Sequence, residues 1–305
     1  MKFFLPYFNH REFAGCGEHL SYLRNALAQA GYSAALTRDL LLAPEAVNIL
    51  LECFNPEQAA EIVKAHRELG LRLVVVASEV VTGGTLNDFN LGPGFAHYSN
   101  RAYWQQRFNC FLEVARCAEA IWCLSDHQLD GYRRILPEKR IETIPLCFDA
   151  VDAQAESSLA PSKDIGVLFF GSLTPYRIEM IKSMPIRVYV AQNLPKPVLS
   201  DFIRRSRVCL HLHLAGGWPY SSNMRHHALL ARQAYVLSES SPLAGELDPY
   251  LDICPRSGLA DRTRELLERS DLPELAAQAQ ARYAAERPIG PAIAALVSRS
   301  LGGPT

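Results

Sequence analysis

Two arginines, Arg177 and Arg225, each follow a turn at the end of a predicted strand. A guanidinium group is suited to planar, multidentate recognition of phosphate. Gly171 and Ser172 would let backbone N–H groups approach the same anion, and Thr174 would begin the helix that follows. The spacing therefore predicts a phosphate-binding corner in the C-terminal half. The alternative for each arginine is an ordinary surface ion pair.

More donors follow in residues 207–239. Residues 208–214 read as a buried strand, a Gly-rich turn follows, residues 223–232 read as a helix, and residues 234–238 read as a second strand. Such a βαβ unit places its ligand beyond the carboxyl ends of its strands, where a helix N-terminus attracts phosphate. The candidate donors there are His213, Tyr220, Ser221, Ser222, Asn223 and Arg225.

The N-terminal half supplies candidates for the reacting side of a site. Gly15 and Gly17 predict a tight turn that would let the main chain approach a ligand. Glu79 comes just past a predicted strand and could take a proton from a hydroxyl group or position it. His97, at the end of the irregular stretch 79–99, and His19 are further candidates for catalysis. The alternatives are a turn without a ligand, a loop carboxylate and ordinary histidines.

Strand-like and helix-like segments alternate almost throughout, which predicts an α/β protein of two Rossmann-like βαβ domains. We predict an N-terminal domain over residues 1–150 and an Ala-, Ser- and Asp-rich linker over 151–163. A second domain covers 164–288, and a last helix in 289–305 packs back on the first domain. Two such domains imply a cleft between them, the default place for a ligand. The long stretch 79–99 is expected to become ordered when a ligand binds.

Composition excludes some classes of function. The 305 residues carry a formal net charge of −1, so no basic footprint indicates a nucleic-acid partner. No segment reaches transmembrane length. Eight cysteines occur without a C-x-x-C pair, which favours reduced thiols in the cytoplasm. His211, His213, His226 and His227 could in principle bind zinc, but their directions on a strand and a helix disfavour it, so we expect no metal and no cofactor.

The chain resembles the GT-B glycosyltransferases, specifically bacterial members that use nucleotide sugars. The resemblance rests on four stretches, which are residues 12–19 (EFAGCGEH), 169–177 (FFGSLTPYR), 210–213 (LHLH) and 225–239, ending in YVLSE. It implies an acceptor-side first domain, a donor-binding second domain, and a nucleoside-diphosphate sugar as co-substrate. It also implies that a histidine such as His97 touches the donor sugar. Where many relatives keep a Glu for the nucleotide ribose, this sequence has Ala228.

The favoured function is therefore metal-independent transfer of a sugar from a nucleoside-diphosphate sugar to a saccharide, lipid or protein. In such a transfer the enzyme must neutralise charge on the leaving diphosphate and exclude water. Ala228 favours an alternative, a catalytically inert GT-B-like module that binds a nucleotide or glycan or partners an active transferase. A nucleotide-sugar epimerase is a third hypothesis. A dinucleotide oxidoreductase is disfavoured because neither half contains G-x-G-x-x-G with a following acidic residue.

Overall fold

The structure is a computed structural model that describes residues 1–7, 13–38, 42–88, 100–151 and 162–302, with the backbone alone over 13–17. The chain divides into two compact units. The first comprises Met1–Pro145 and Ile289–Thr305, and the second comprises Leu146–Pro288. Both are built from parallel strands and helices, so the predicted α/β class is confirmed.

The first unit contains a six-stranded sheet and a small hairpin. The sheet has the order β2-β1-β3-β4-β7-β8, and all its pairs are parallel. Its strands and those of the antiparallel hairpin, β5 and β6, are β1 (Lys2–Tyr7), β2 (Ser33–Arg38), β3 (Val47–Leu51), β4 (Arg72–Ala77), β5 (Val81–Thr82), β6 (Thr85–Leu86), β7 (Ala120–Cys123) and β8 (Arg140–Thr143). The central strands β3 and β4 are mostly apolar and almost wholly buried, as is typical of strands inside a parallel sheet.

The second unit contains a five-stranded parallel sheet of order β10-β9-β11-β12-β13. Its strands are β9 (Ile165–Phe170), β10 (Val188–Ala191), β11 (Ser206–His211), β12 (Val236–Glu239) and β13 (Asp252–Cys254). Apolar clusters lie on the two faces of this sheet, one around Phe169 and Leu210 and the other around Leu168 and Cys209. The alternation of facing along each strand produces the two clusters.

Helices connect the strands in both units. They are α1 (Phe13–Gln29), α2 (Pro56–Leu69), α3 (Arg101–Cys117), α4 (Leu129–Ile135), α5 (Pro175–Ser183), α6 (Lys196–Arg205), α7 (Asn223–Ala231), α8 (Leu259–Glu268), α9 (Leu272–Glu286) and α10 (Ile289–Leu301). The last helix belongs to the first unit, where Trp122 Nε1 donates to Ser300 Oγ at 2.8 Å. No helix in the described ranges has the length and apolar character needed to cross a bilayer.

The order of strands fixes where each unit can hold a ligand. In the first sheet the chain turns from one side to the other between β1 and β3, and in the second between β9 and β11. At such a switch point the loops leave in opposite directions and open a crevice beyond the carboxyl ends of the strands. Glu52 directly follows β3, and Gly171 directly follows β9.

Two local predictions were wrong. Gly15 and Gly17 lie inside α1, which begins at Phe13, and do not form a turn. Glycine costs a helix only about 1 kcal/mol per residue, which tertiary contacts of the remaining helix can outweigh. The stretch 79–99 was predicted to be irregular, yet its first part forms the hairpin of β5 and β6. Residues 89–99 and most of the predicted linker lie outside the described residues.

Candidate functional site

Gly171 and Arg225 meet at the switch point of the second sheet. Arg225 lies in the first turn of α7, and its guanidinium carbon is 5.4 Å from the ring centroid of Phe170. Gly171 has φ +118°, and a Cβ atom placed on it would be 2.8 Å from Arg225 Nη2. Only glycine, which has no Cβ atom, leaves room for the guanidinium group at this position. The structure therefore brings two of the predicted phosphate-binding residues close together.

Arg177 lies beside this corner but is directed at the main chain. The residue is 2% exposed. Its Nε donates to the carbonyl oxygens of Leu212 (3.2 Å) and His213 (3.0 Å), and its Nη1 donates to that of Ser172 (2.8 Å). These bonds join the loops that follow β9 and β11. Arg177 therefore acts as a positioning residue in this structure, and its predicted contact with phosphate stays a prediction.

Thr174 is the N-cap of α5. Its Oγ1 accepts the N–H of Arg177 at 3.1 Å and donates to the carbonyl of Leu214 at 2.9 Å. The cap orients the positive end of the helix dipole toward the carboxyl edge of the sheet, where Ser172 is exposed. Cap, glycine and arginine together make this corner favourable for an anion.

A buried carboxylate, Glu239, ends β12 at the same edge. It accepts the N–H of His213 at 2.9 Å and the hydroxyl of Tyr176. Burial, and then the bond to Glu239, raise the pKa of Tyr176. Glu239 belongs to one of the stretches on which the resemblance rests, but neither Glu239 nor Tyr176 was predicted to have a role in the site. A single acidic residue after an apolar strand was the available signal.

Three histidines form a buried cluster behind this edge. The ring of His211 lies 4.6 Å from that of His226 and 5.5 Å from that of His213, centroid to centroid. Ser238 Oγ lies 3.0 Å from His211 Nδ1 and 3.2 Å from His226 Nε2. Burial lowers the pKa of His211 far below its ordinary value and lowers that of His226 to about 3. Both rings are therefore neutral at neutral pH.

The remaining predicted donors surround the start of α7. Ser221 Oγ donates to Asp248 Oδ1 at 3.0 Å and lies 3.2 Å from His226 Nδ1. Ser222 occupies the N-cap position, but its side chain makes no capping bond. Asn223 is buried, and Tyr220 is half-buried. The Ser221 side chain is therefore engaged within the unit by Asp248 and His226.

The first unit has its own polar cluster at the carboxyl edge of its sheet. Glu79 follows β4, and its Oε1 lies 3.0 Å from Arg107 Nη2 of α3. Its Oε2 accepts a hydrogen bond from Asn87 Nδ2 at 2.7 Å. Arg107 also pairs with Glu52, which is fully buried. The structure therefore joins the predicted Glu79 to two residues that sequence reasoning missed.

Both missed residues leave a signal in the sequence. Glu52 follows the apolar run of β3. Arg107 lies on the buried side of α3, near Trp104 and Phe111. A charged residue in such a position requires a partner, because a buried charge without one is costly. The partners come from distant segments, so their identity could not be predicted from spacing.

The other predicted residues of the first unit are not joined to this cluster by the described contacts. His19 is a half-buried residue of α1. Gly15 and Gly17 lie in the first turns of the same helix. His97 lies outside the described residues. The catalytic roles predicted for His19 and His97 stay predictions.

Comparisons with known proteins show the fold. No protein-family model and no curated protein sequence match the chain. The structure of T4 phage BGT in complex with UDP-glucose matches with TM-score 0.62 and 10% identity, covering 99% of this chain and 100% of that one. A structure of the DNA-modifying enzyme β-glucosyltransferase matches with TM-score 0.61 at 10% identity and the same coverage. OtsA matches with TM-score 0.58 and 9% identity, covering 98% and 99%. The chain has the GT-B fold.

In this GT-B chain the resemblance noted in the sequence is confirmed at the level of fold. Another structure of T4 phage BGT holds UDP and Mn²⁺, at TM-score 0.57 and 11% identity. Among the described residues, no group of three or more His, Cys, Asp or Glu side chains is arranged to hold a metal ion. The expectation of metal-free chemistry stays a prediction.

Proposed function

We propose that this GT-B chain is a glycosyltransferase that uses a nucleoside-diphosphate sugar. The observation that carries the proposal is the contact of Arg225 with Gly171 at the switch point of the second sheet. A guanidinium group, a close main chain and the positive end of α5 suit the charge that a leaving diphosphate develops. We assign the donor to the second unit on this basis.

We assign activation of the acceptor hydroxyl to Glu79 of the first unit. Its side chain is 21% exposed, and two hydrogen-bonding partners orient its carboxylate. A carboxylate held in this way at the carboxyl edge of a parallel sheet can accept a proton from a hydroxyl group or align that group. This role applies to transfer with inversion, which needs a base, more directly than to transfer with retention.

The experiment is a thermal-shift and turnover panel with UDP-, GDP-, TDP- and CMP-sugars. We expect one donor to stabilise the protein and to be hydrolysed or transferred. Acceptor arms with an oligosaccharide, a lipid and a protein test the acceptors we favour, and duplex DNA is included because a similar fold belongs to a DNA-modifying enzyme. Failure of every donor to bind would refute the proposal.

We further propose that transfer needs no divalent cation, because Arg225 and the start of α5 supply positive charge at the diphosphate. Turnover should be equal in EDTA and in Mn²⁺. Activity that appears only with the metal would overturn this point without affecting the assignment as a transferase.

An inert binding module is the second candidate, and Ala228 favours it. This residue of α7 is 3% exposed, so it offers no polar group at the position where the resemblance implies a Glu. Stabilisation by a donor without hydrolysis or transfer to any acceptor would select this candidate.

A further inference from the structure

A buried cluster of charges lies at the carboxyl ends of β3 and β4 in the first sheet. Glu52, Arg107 and Glu79 place two carboxylates against one guanidinium group, so the ionised cluster carries a formal charge of −1. Glu52 is 0% exposed and the side chain of Arg107 is 9% exposed. A charge imbalance is expensive in such surroundings, and proteins retain one where it serves a purpose.

Glu52 holds the main chain that carries Glu79. Its Oε2 accepts the N–H groups of Ser78 and Glu79, the latter at 3.0 Å. Its Oε1 accepts the Ser78 hydroxyl at 3.1 Å and an N–H of Arg107. Arg107 is fixed in turn, because its Nε donates to the Glu52 carbonyl at 3.2 Å. One buried side chain thus determines both the backbone of Glu79 and the direction of its cationic partner.

Glu79 is the member of the cluster that reaches solvent. Its carbonyl accepts hydrogen bonds from Gln128 Nε2 at 2.7 Å and from Tyr132 Oη at 2.8 Å. With both carboxylate oxygens also engaged, by Arg107 and Asn87, few of its torsions remain free. The residue is therefore held in one orientation before any ligand arrives, as an active site requires.

We propose that Glu52 is the positioning residue of this site. It fixes the main chain of Glu79 and shares Arg107 with it, so the protonation state of Glu52 sets how much of the positive charge of Arg107 acts on Glu79. This inference rests on the proposed function insofar as Glu79 is taken to act on the acceptor. The link between Glu52 and Glu79 itself is a property of the protein alone.

The protonation state of Glu52 changes near neutral pH. Burial first, and then the charge of Glu79, raise the pKa of Glu52 to about 7 against the opposing effects of Arg107 and of the backbone hydrogen bond from Glu79. Above this pH Arg107 is divided between two carboxylates, and Glu79 keeps uncompensated negative charge. Below it Glu52 is neutral, Arg107 neutralises Glu79, and Glu79 is a poorer proton acceptor. Activity that depends on Glu79 should rise with pH through about 7.

The other titratable groups around the cluster do not reverse the expected rise of activity with pH. They come from the end of β3, from α3, from β7 and from α4, and are Cys53, Tyr103, Cys123 and Tyr132. Burial raises the pKa of Cys123 and that of Tyr132, so both remain neutral at pH 7. The Cys53 sulfur lies 3.3 Å from Arg107 Nη2 and is itself adjacent in sequence to Glu52.

The first experiment needs no substrate. Glutamate labelled with ¹³C at the side-chain carboxyl is incorporated into the whole protein, and the carboxyl signals are followed by NMR from pH 4 to pH 9. We expect one signal to titrate near pH 7, to disappear in Glu52→Gln, and to move to lower pH in Glu79→Gln because the charge of Glu79 is removed. A signal that survives in Glu52→Gln, or that does not move in Glu79→Gln, would overturn the inference.

Glu79→Gln also serves if Glu52→Gln does not fold, because it leaves the buried bonds of Glu52 in place. Glu68→Gln is the matched control, since Glu68 is an exposed residue of α2 that pairs with Lys64 at 3.9 Å. This substitution leaves the bonds among Glu52, Arg107 and Glu79 in place, so the signal near pH 7 should stay unchanged.

The second experiment measures turnover against pH with the donor found in the panel. Glu52→Gln imitates the protonated form, so we expect a lower kcat at pH 8, loss of the rise through pH 7, and an unchanged KM for the donor. A variant with the wild-type pH profile refutes the positioning role even where the NMR titration holds. If no donor is turned over, the proposed transferase function fails, and the NMR result still decides whether Glu52 and Glu79 are linked.

Discussion

Replacement of Gly171 by alanine tests the candidate phosphate corner most directly. At φ +118° an alanine is strained, at a cost of roughly 1–3 kcal/mol. Its Cβ would lie 2.8 Å from Nη2 and 3.3 Å from Cζ of Arg225. The backbone cannot yield as readily as the end of a long side chain, so the guanidinium group moves away from the corner.

The two costs appear in different measurements. Strain lowers the free energy of unfolding, which should lower the Tm by roughly 2–4 °C per kcal/mol for a chain of this size. Displacement of the guanidinium group removes charge-assisted hydrogen bonds to phosphate, each worth about 1.5–3 kcal/mol, and so weakens donor binding about 10- to 150-fold. Arg225→Ala should weaken binding by a similar factor.

The assay is calorimetric titration of the donor, with thermal unfolding of the free protein measured in parallel. Gly31→Ala is the control, because Gly31 also has a positive φ, at +86°, but a Cβ there meets nothing within 4 Å. It should lower the Tm and leave the donor Kd unchanged. In the double variant Gly171→Ala with Arg225→Ala, the losses of affinity should not add. Additive losses would refute the proposal that Gly171 acts through Arg225.

Four further outcomes are expected. Thr174→Val removes the N-cap of α5 and the bond to the Leu214 carbonyl, so urea denaturation should show a loss of about 1–2 kcal/mol that Thr174→Ser avoids. Asn87→Gly and Asn87→Ala both lose the hydrogen bonds of the Asn87 side chain to Glu79 and Val80. The alanine variant is also strained at φ +52°, so urea denaturation should show it to be roughly 1–2 kcal/mol less stable than the glycine variant. Equal stability of the two variants would contradict this reasoning. The folded state lowers the pKa of His226 to about 3, so the unfolded state binds more protons below pH 6.5. The free energy of unfolding should therefore fall as pH falls, by an amount on the order of 5 kcal/mol. His226→Gln should flatten this pH dependence, and the control His127→Gln, at an exposed histidine, should not. Glu52 should change stability in the opposite direction, because its pKa in the folded state, about 7, lies above the ordinary value of 4.5. The free energy of unfolding should fall on the order of 3 kcal/mol as pH rises through this interval. A pH dependence of stability in Glu52→Gln equal to that of the wild type would contradict this prediction.

Periodicity predicted the longer regular elements better than the short ones. The predicted helix over residues 223–232 is observed as Asn223–Ala231, and the predicted strand over residues 234–238 is observed as Val236–Glu239. The two-residue strands β5 and β6 were missed because a hairpin this short leaves no alternating pattern. The start of α1 was misplaced because glycine is a weak signal where tertiary contacts favour the helix.

The candidate site was predicted in its residue types more than in its connections. Gly171 and Arg225 were both expected at the phosphate corner. They are 54 residues apart in sequence, so their spacing could not predict that Gly171 leaves space for the Arg225 side chain. Arg177 was expected at the ligand, and its observed bonds to three main-chain carbonyls could not be predicted from spacing. Glu52 and Arg107 are 55 residues apart in sequence, and the fold brings the residue after β3 to the buried side of α3. Partners of this kind depend on the fold as a whole.

Helix α10 packs in the first unit, which limits where the protein can be truncated. The second unit is an insertion within the first, and its two ends are held together where the N–H of Phe148 donates to the carbonyl of Arg287 at 3.1 Å. A fragment that ends at Pro288, the last residue of the second unit, would lack three fully buried residues of the first unit, Ile293, Leu296 and Val297. Truncation or proteolytic trimming at the tail should therefore damage the N-terminal half of the protein, the part that is synthesised earliest.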